Sequence, residues 1–261
     1  MCLPLRRVLA RRPATVGDFA AAAWRQPDPG LLLAQHETFC ELLASLGCEV
    51  EVADAIDGLV DATYIRDPGL VTQRGGVVFQ MAKPARQAEP GHLGTALGAA
   101  GVPVVARLDG AARADGGDFV WLDPQTLIIG RSYRTNAAGV AQIRTIMAAE
   151  RVTVVSVDLP HDLGPGHVLH LMSFLSPVVL METLAERGVA VVAVDAGEYA
   201  SMACNVLAVR PRQVIMLDGN PVTRRALERH GCEVHCYDGS EISLKGDGGP
   251  TCLTQPLLRA G

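Results

Sequence analysis

The chain has 261 residues, 49% of them hydrophobic and 20% charged, an ordinary balance for a folded protein. Its net charge of −5 argues against a nucleic-acid surface, because affinity for phosphate backbones comes mainly from clustered Lys and Arg. It has no apolar run as long as a membrane span and no secretory signal, and its seven cysteines form no CxxC pair, so we predict a reduced, cytoplasmic protein.

One pattern recurs five times along the chain: the end of a helix, a tight reversal, a β-branched strand and then Asp. The five segments are residues 43–54, 97–109, 146–158, 184–195 and 227–238. Four of the reversals contain Gly, which adopts a left-handed conformation without steric cost. The Val-rich stretch after each reversal has high β-propensity.

Further strands are predicted before most of these helices, at residues 7–11 and in hairpins at 69–72 with 76–81, 119–121 with 126–129, and 206–209 with 214–217. The unit is roughly strand, strand, helix, strand, and it is too small to close its own core. An ordinary doubly wound α/β sheet has similar junctions, but five copies favour a closed fivefold arrangement. No linker divides the chain, so we predict one domain over residues 1–261.

Acidic residues stand at two notable places. Asp61 and Asp67 flank a short segment, and the Pro that follows Asp67 holds it extended. Asp115 and Asp118 enclose two glycines directly before a predicted strand. The glycines allow a close-approach geometry with both carboxylates pointing inward, although a hairpin-like turn fits the pattern equally well.

His170 and Cys252 are the candidates for reactive groups. A strand beginning near Val168 would place His170 on one face with Val168 and Met172. His161 and His167 lie nearby, but no carboxylate or Cys has a supporting spacing, so no metal is predicted. Cys252 follows a glycine–proline loop at the start of an apolar segment, where a thiol can reach a cleft, although a single Cys is more often buried filler.

Taken together, these motifs resemble those of the guanidino-group-modifying family, which includes dimethylarginine dimethylaminohydrolases, arginine deiminases and amidinotransferases. The matching segments follow in order along nearly the whole chain: residues 7–13, 61–67, 86–89, 115–118, 134–136, 169–171 and 251–252. The resemblance implies a fivefold α/β propeller, the pentein fold, built from ββαβ-type repeats. The repeat pattern favours the same architecture independently.

The resemblance also implies roles for individual residues. The implied catalytic residues are Cys252 as nucleophile, His170 as general acid/base, and Asp115. The implied substrate-binding residues are Asp61, Asp67, Arg86, Arg134 and Asp118. Asp67 and Asp115 would hold the guanidinium, Arg86 and Arg134 would clamp the α-carboxylate, and Asp61 would face the α-amino group. For Arg86 and Arg134, a surface position is the default interpretation from local sequence alone.

The implied activity is hydrolysis of the guanidinium group of arginine or a methylated arginine, giving citrulline and ammonia or an amine without a cofactor. The segment 66–68 looks like arginine deiminases, whereas the short chain and residues 134–136 look like dimethylarginine hydrolases. An amidinotransferase, an arginine-to-ornithine enzyme and a non-catalytic propeller protein are the alternatives. The partner is a small guanidino molecule, a homodimer is one option for assembly, and residues 19–24 and 240–249 are lid candidates.

Overall fold

Four three-stranded sheets are present in the part of the chain that the computed structural model describes, residues 3–159, 170–173, 184, 186, 188–189 and 191–260. Their strands are β1 (Leu5–Arg11), β2 (Glu49–Ala53), β3 (Gly69–Val71), β4 (Gly76–Val78), β5 (Val104–Arg107), β6 (Phe119–Asp123), β7 (Thr126–Arg131), β8 (Thr153–Asp158), β9 (Leu207–Arg210), β10 (Gln213–Leu217), β11 (Glu233–Tyr237) and β12 (Gln255–Arg259). The helices are α1 (Pro29–Ser45), α2 (Glu89–Ala99), α3 (Ala137–Ala148) and α4 (Pro221–Arg229).

All four sheets repeat one topology. The middle strand pairs antiparallel with one neighbour and parallel with the other, and a helix joins the two parallel strands. In the order β3-β4-β5, for example, β3 and β4 form a hairpin and α2 connects β4 to β5. In the order β12-β1-β2, the strand nearest the C-terminus supplies the antiparallel neighbour. The predicted strand–strand–helix–strand unit is therefore confirmed for four of the five repeats.

The fifth repeat differs from its prediction in the described residues. Leu171–Ser173 form a 3-10 helix instead of continuing a strand, because the backbone N–H of Leu171 donates to the carboxylate of Asp118 at 3.0 Å. Residues 191–195 are not in a strand. Val168, the predicted start of this strand, lies outside the described residues, as do His161 and His167.

Local sequence explains where the helices begin and turn back. Asp28 caps α1 by accepting the N–H of Leu31 at 2.9 Å, and Pro29 occupies the first turn. Asn136 caps α3 in the same way by accepting the N–H of Gly139 at 2.8 Å. The chain leaves α1 through Gly47, whose φ of +87° confirms a reversal that was predicted from sequence.

The chain divides into two compact units, each with its own core. Unit 1 is Asp67–Val192, and unit 2 is Cys2–Arg66 with Ala193–Gly261. The core of unit 1 includes Phe79 stacked on Phe119, and the core of unit 2 includes Phe39 against Tyr237. That the chain forms a single domain stays a prediction. No helix in the described residues has the length and apolar character needed to cross a bilayer.

Candidate active site

Asp115, His170 and Arg134 form a charged cluster in unit 1. Nε2 of His170 lies 3.1 Å from Oδ1 of Asp115, and NH1 of Arg134 lies 2.7 Å from the same nitrogen. NH1 of Arg134 is also 3.8 Å from Oδ2 of Asp115. A Cβ at Gly117 would overlap the imidazole ring of His170, so the glycine pair allows the close approach that the sequence predicted.

The protonation states in this cluster follow from its charges. Burial lowers the pKa of His170, but the charge and hydrogen bond of Asp115 raise it, and the net pKa lies above the ordinary value. Burial raises the pKa of Asp115, but His170 and Arg134 lower it well below the ordinary range. Since Nε2 cannot both accept from Arg134 and donate to Asp115, the raised pKa favours the ring that donates to Asp115.

A buried ion triad lies beside this cluster in unit 1. NH1 of Arg86 donates to Oδ2 of Asp67 at 2.7 Å. Nε and NH2 of Arg86 donate to the two carboxylate oxygens of Glu89, at 2.8 and 2.7 Å. All three side chains are at most 3% exposed. Arg86 is thus the counter-ion of two carboxylates, a position that sequence reasoning did not predict, while its clamp role stays a prediction.

Asp67 is the carboxylate with spare acceptor capacity. Its Oδ1 is buried and has no hydrogen-bond partner among the described residues. Burial raises the pKa of Asp67, and the nearby charge of Asp115 raises it further, against the opposing effect of Arg86. A cation placed at Oδ1 would therefore satisfy the orphaned oxygen and stabilise the ionised carboxylate together.

Asp118 is bonded to residues next to the cluster of Asp115, His170 and Arg134. It is 0% exposed, accepts the hydroxyl of Thr135 at 2.6 Å and accepts the N–H of Leu171, the residue after His170. The hydroxyl oxygen of Thr135 in turn accepts the N–H of Asp115 at 3.2 Å. Burial raises the pKa of Asp118 to about 6. The bonds of Asp118 hold the neighbours of His170 and Asp115, and its role in substrate binding stays a prediction.

Unit 2 holds Asp61 within an aromatic cluster. Asp61 lies in the 3-10 helix Val60–Thr63 and accepts the indole N–H of Trp24 at 2.7 Å. Trp24 stacks on Tyr64 with ring centroids 5.3 Å apart and meets Phe19 edge-on at 5.8 Å. The sequence offered no signal for the contact of Trp24 with Asp61, because 37 residues separate the two.

The two segments considered as a lid pack against each other in unit 2. Directly after the first segment, the N–H of Arg25 donates to the carbonyl of Lys245 at 2.9 Å, and Nζ of Lys245 donates to the carbonyl of Gln26 at 3.0 Å. Cβ atoms at Gly246 and Gly248 would overlap Trp24 and Tyr64. Motion of these segments stays a prediction, and any such motion would have to break these contacts.

Cys252 lies in a turn three residues before β12, the predicted loop-to-strand position. It is 7% exposed, its N–H donates to the carbonyl of Gly249, and its carbonyl accepts the N–H of Arg66. Nδ2 of Asn205 lies 3.7 Å from its sulfur. Asn205 was missed by sequence reasoning, because it follows an irregular turn with no motif of its own.

In the described residues, no group of three or more His, Cys, Asp or Glu side chains is arranged to hold a metal ion. Of the three histidines considered as metal ligands, His161 and His167 lie outside those residues, and His170 pairs with Asp115. Asp67, Asp115 and His170 are engaged in ion pairs with arginine or with each other.

Comparison with known proteins finds a matching family model and relatives that are named as enzymes acting on arginine or dimethylarginine. A family model described as arginine deiminase matches residues 51–176 and 176–259. The uncharacterized protein YkgA of Bacillus subtilis is 27% identical over 233 residues, covering 86% of this chain and 79% of that protein. An arginine deiminase of Listeria welshimeri is 26% identical, covering 78% of this chain and 63% of its own length. An N(G),N(G)-dimethylarginine dimethylaminohydrolase of Streptomyces coelicolor is 29% identical, covering 66% and 64%. The chain thus spans less than two thirds of the last two relatives.

Solved structures share the fold. The dimethylarginine dimethylaminohydrolase of Pseudomonas aeruginosa, a cysteine-to-serine mutant complexed with citrulline, has a TM-score of 0.81 at 22% identity, covering 98% of this chain and 99% of that one. The N-terminal domain of ArgZ, an arginine dihydrolase from cyanobacteria, has a TM-score of 0.81 at 18% identity, covering 97% and 99%. The likeness confirms the fivefold α/β propeller predicted from the repeat.

Proposed function

Because this chain belongs to the arginine deiminase family, we propose that it is a cysteine-dependent hydrolase of the guanidinium group of arginine or an N-methylated arginine. The products are citrulline and ammonia, or citrulline and methylamine or dimethylamine. The observation that carries the proposal is Oδ1 of Asp67, which is buried and has no partner among the described residues. A guanidinium supplies an N–H donor for this oxygen. Its positive charge also stabilises the ionised form of Asp67, which burial and the charge of Asp115 disfavour.

Substrate binding uses both charge and geometry. Asp67 and Asp115 hold the planar guanidinium, because paired carboxylates fix the orientation of its N–H groups. Arg86 and Glu89 keep Asp67 in place through the buried triad. Arg134 is proposed to bind the α-carboxylate, with Arg86 as the second half of that clamp. Outside this group, Asp61 is proposed to accept the α-amino group.

The first chemical step forms a covalent intermediate. The thiolate of Cys252 attacks the guanidinium carbon, and the carbon becomes tetrahedral. One nitrogen leaves only as a neutral amine, so it needs a proton. His170 supplies that proton, because the charge and hydrogen bond of Asp115 raise the pKa of the ring and favour its protonated form. Loss of the amine leaves an S-alkylthiouronium on Cys252.

The second step releases the product. His170, now neutral, takes a proton from a water molecule that attacks the thiouronium carbon. The carbon–sulfur bond then breaks, the hydroxyl proton of the intermediate passes to solvent, where the released amine takes up a proton, and citrulline leaves with the sulfur again a thiolate. Proton transfer by a positioned side chain typically contributes about 10²–10⁴ in rate. The proposed chemistry uses a small-molecule substrate and water, and a cytoplasmic location and a homodimer stay predictions.

The test is an assay for citrulline and ornithine on purified protein with arginine, monomethylarginine and asymmetric dimethylarginine in parallel. Cys252→Ser is expected to abolish turnover, whereas Cys40→Ser, which changes a cysteine that burial leaves with a pKa raised to about 11, is expected to retain it. Citrulline from methylated substrates alone identifies a dimethylarginine hydrolase, and citrulline chiefly from arginine identifies a deiminase. Ornithine, transfer to an amine, or undiminished turnover by Cys252→Ser would overturn the proposal.

A further inference from the structure

We propose that the side-chain amide of Asn205 donates a hydrogen bond to the sulfur of Cys252 and stabilises its thiolate form. Nδ2 of Asn205 lies 3.7 Å from Sγ of Cys252, within hydrogen-bond distance for a sulfur acceptor. Both residues belong to unit 2 and are buried, at 5% and 7% exposure. The inference rests on the proposed function, because it assigns a partner to the proposed nucleophile.

The orientation of the amide follows from its other end. Oδ1 of Asn205 accepts the backbone N–H of Thr251 at 3.1 Å and the hydroxyl of Thr251 at 2.8 Å. A backbone N–H only donates, so the atom that faces it must be the carbonyl oxygen. The NH₂ end therefore faces the sulfur, and the amide offers Cys252 a donor rather than an acceptor.

The surrounding chain is built to admit this side chain. A Cβ at Gly249 would overlap Cγ of Asn205, so only glycine leaves room for the amide beside the loop before Cys252. The N–H of Asn205 donates to the carbonyl of Met202 at 2.9 Å, which closes the turn that presents it. The hydroxyl of Thr251 lies 3.9 Å from the same sulfur. Asn205 thus bonds both to the backbone of Thr251 and to the sulfur of Cys252.

A donor at this place acts on both chemical steps. An N–H that points at sulfur favours the negatively charged thiolate over the neutral thiol, because a hydrogen bond to the charged form of a group stabilises that form. The thiolate is the species that attacks the guanidinium carbon. It is also the species that leaves when water cleaves the thiouronium. The amide carries no charge, so it does not repel a cationic substrate.

The test is the pH dependence of Cys252 alkylation by iodoacetamide, followed by mass spectrometry in Asn205→Asp and Asn205→Ser. Asp keeps the shape and the bonds to Thr251 but turns an acceptor toward the sulfur, so alkylation of Cys252 at pH 7.5 is expected to slow about tenfold. Ser is smaller and loses the donor at this position, and we expect a decrease in the same direction. Cys40 in the same sample is the internal reference, and urea midpoints report folding.

In turnover, kcat is expected to fall in both variants while KM stays close to that of the wild type. Alkylation profiles that match the wild type in both folded variants would overturn the inference. This result is distinct from failure of the proposed function, because alkylation needs no substrate. A slowed alkylation without any turnover in the wild type would support the role of Asn205 and reject the hydrolase.

Discussion

Trp24 shows how a single residue can act on the site without chemistry of its own. Its indole N–H holds one oxygen of Asp61, and its ring lies on Tyr64. Asp61 is buried, so a lost hydrogen bond there is not simply replaced by bulk water. Trp24 therefore orients the carboxylate that is proposed to accept the α-amino group.

Trp24→Phe keeps an aromatic ring at this position and removes the N–H. We expect KM for arginine or methylarginine to rise about tenfold with little change in kcat, because a hydrogen bond to a charged group contributes about 1.5–3 kcal/mol. Steady-state kinetics with the preferred substrate and with an analogue that lacks the α-amino group provide the measurement. The analogue is expected to show no increase in KM, and an equal increase for both compounds would contradict the role.

The residues that sequence could identify are those with a motif. Asp115 and Asp118 stand around a glycine pair, and the resemblance placed Cys252 and His170 in the ordered set. Trp24 and Asn205 could not be found in this way. Each acts through a partner 37 or 47 positions away, and only the folded chain brings the atoms together.

At the scale of elements, the loop before Cys252 depends on the absence of side chains. Gly246 and Gly248 lie directly against Trp24 and Tyr64, and the neighbouring Asp247 adopts a positive φ of 57°. The hydroxyl of Tyr64 donates to the carbonyl of Ile242 at 3.1 Å, which fixes the ring. A side chain at position 246 or 248 would therefore have no space.

Gly248→Ala is expected to destabilise the protein by about 1–3 kcal/mol, because the added methyl overlaps a ring that cannot move aside. Gly98→Ala is the matched control. Gly98 lies in α2 with no atom within 4 Å of an added Cβ, and alanine there is expected to stabilise by about 0.5–1 kcal/mol. Urea unfolding of both variants measures the difference, and equal midpoints would contradict it.

The elements themselves were largely predictable. The helix–strand junctions and the three hairpins predicted the topology of three sheets, because periodicity and turn residues are local signals. The pairing of β12 with β1 was not predicted, because the two strands are far apart in sequence. The prediction of a strand near His170 was wrong at Leu171. The backbone N–H of Leu171 donates to the buried carboxylate of Asp118 instead of to a neighbouring strand. No local pattern carries that information.

For the whole molecule, buried titratable groups predict a stability that depends on pH. Burial raises the pKa of Asp118 to about 6 from 3.8, so the folded state binds its proton more tightly than the unfolded state. The stabilisation that this proton provides is complete below pH 3.8 and is lost as the pH rises to about 6. His170 also has a raised pKa, so its contribution is complete below pH 6.5 and is lost as the pH rises through its folded value.

We therefore expect the urea midpoint of Asp118→Asn to change less between pH 4 and pH 6 than the urea midpoint of the wild type does. The pKa shift of Asp118 corresponds to a difference on the order of 3 kcal/mol. Asp57→Asn, which changes an exposed carboxyl, serves as the control and is expected to follow the wild type. A parallel pH profile for Asp118→Asn would show that Asp118 titrates alike in both states.

The orphaned oxygen of Asp67 also bears on the choice of denaturant. Guanidinium chloride delivers the head group of the proposed substrate as a free ion, and Oδ1 of Asp67 is a buried acceptor for it. A ligand that binds only the folded state stabilises that state by mass action. At millimolar concentrations the salt is therefore expected to act as a competitive inhibitor and to raise the melting temperature, although it unfolds most proteins at molar concentrations. For this protein, the guanidinium ion is therefore both a denaturant and the smallest analogue of the proposed substrate.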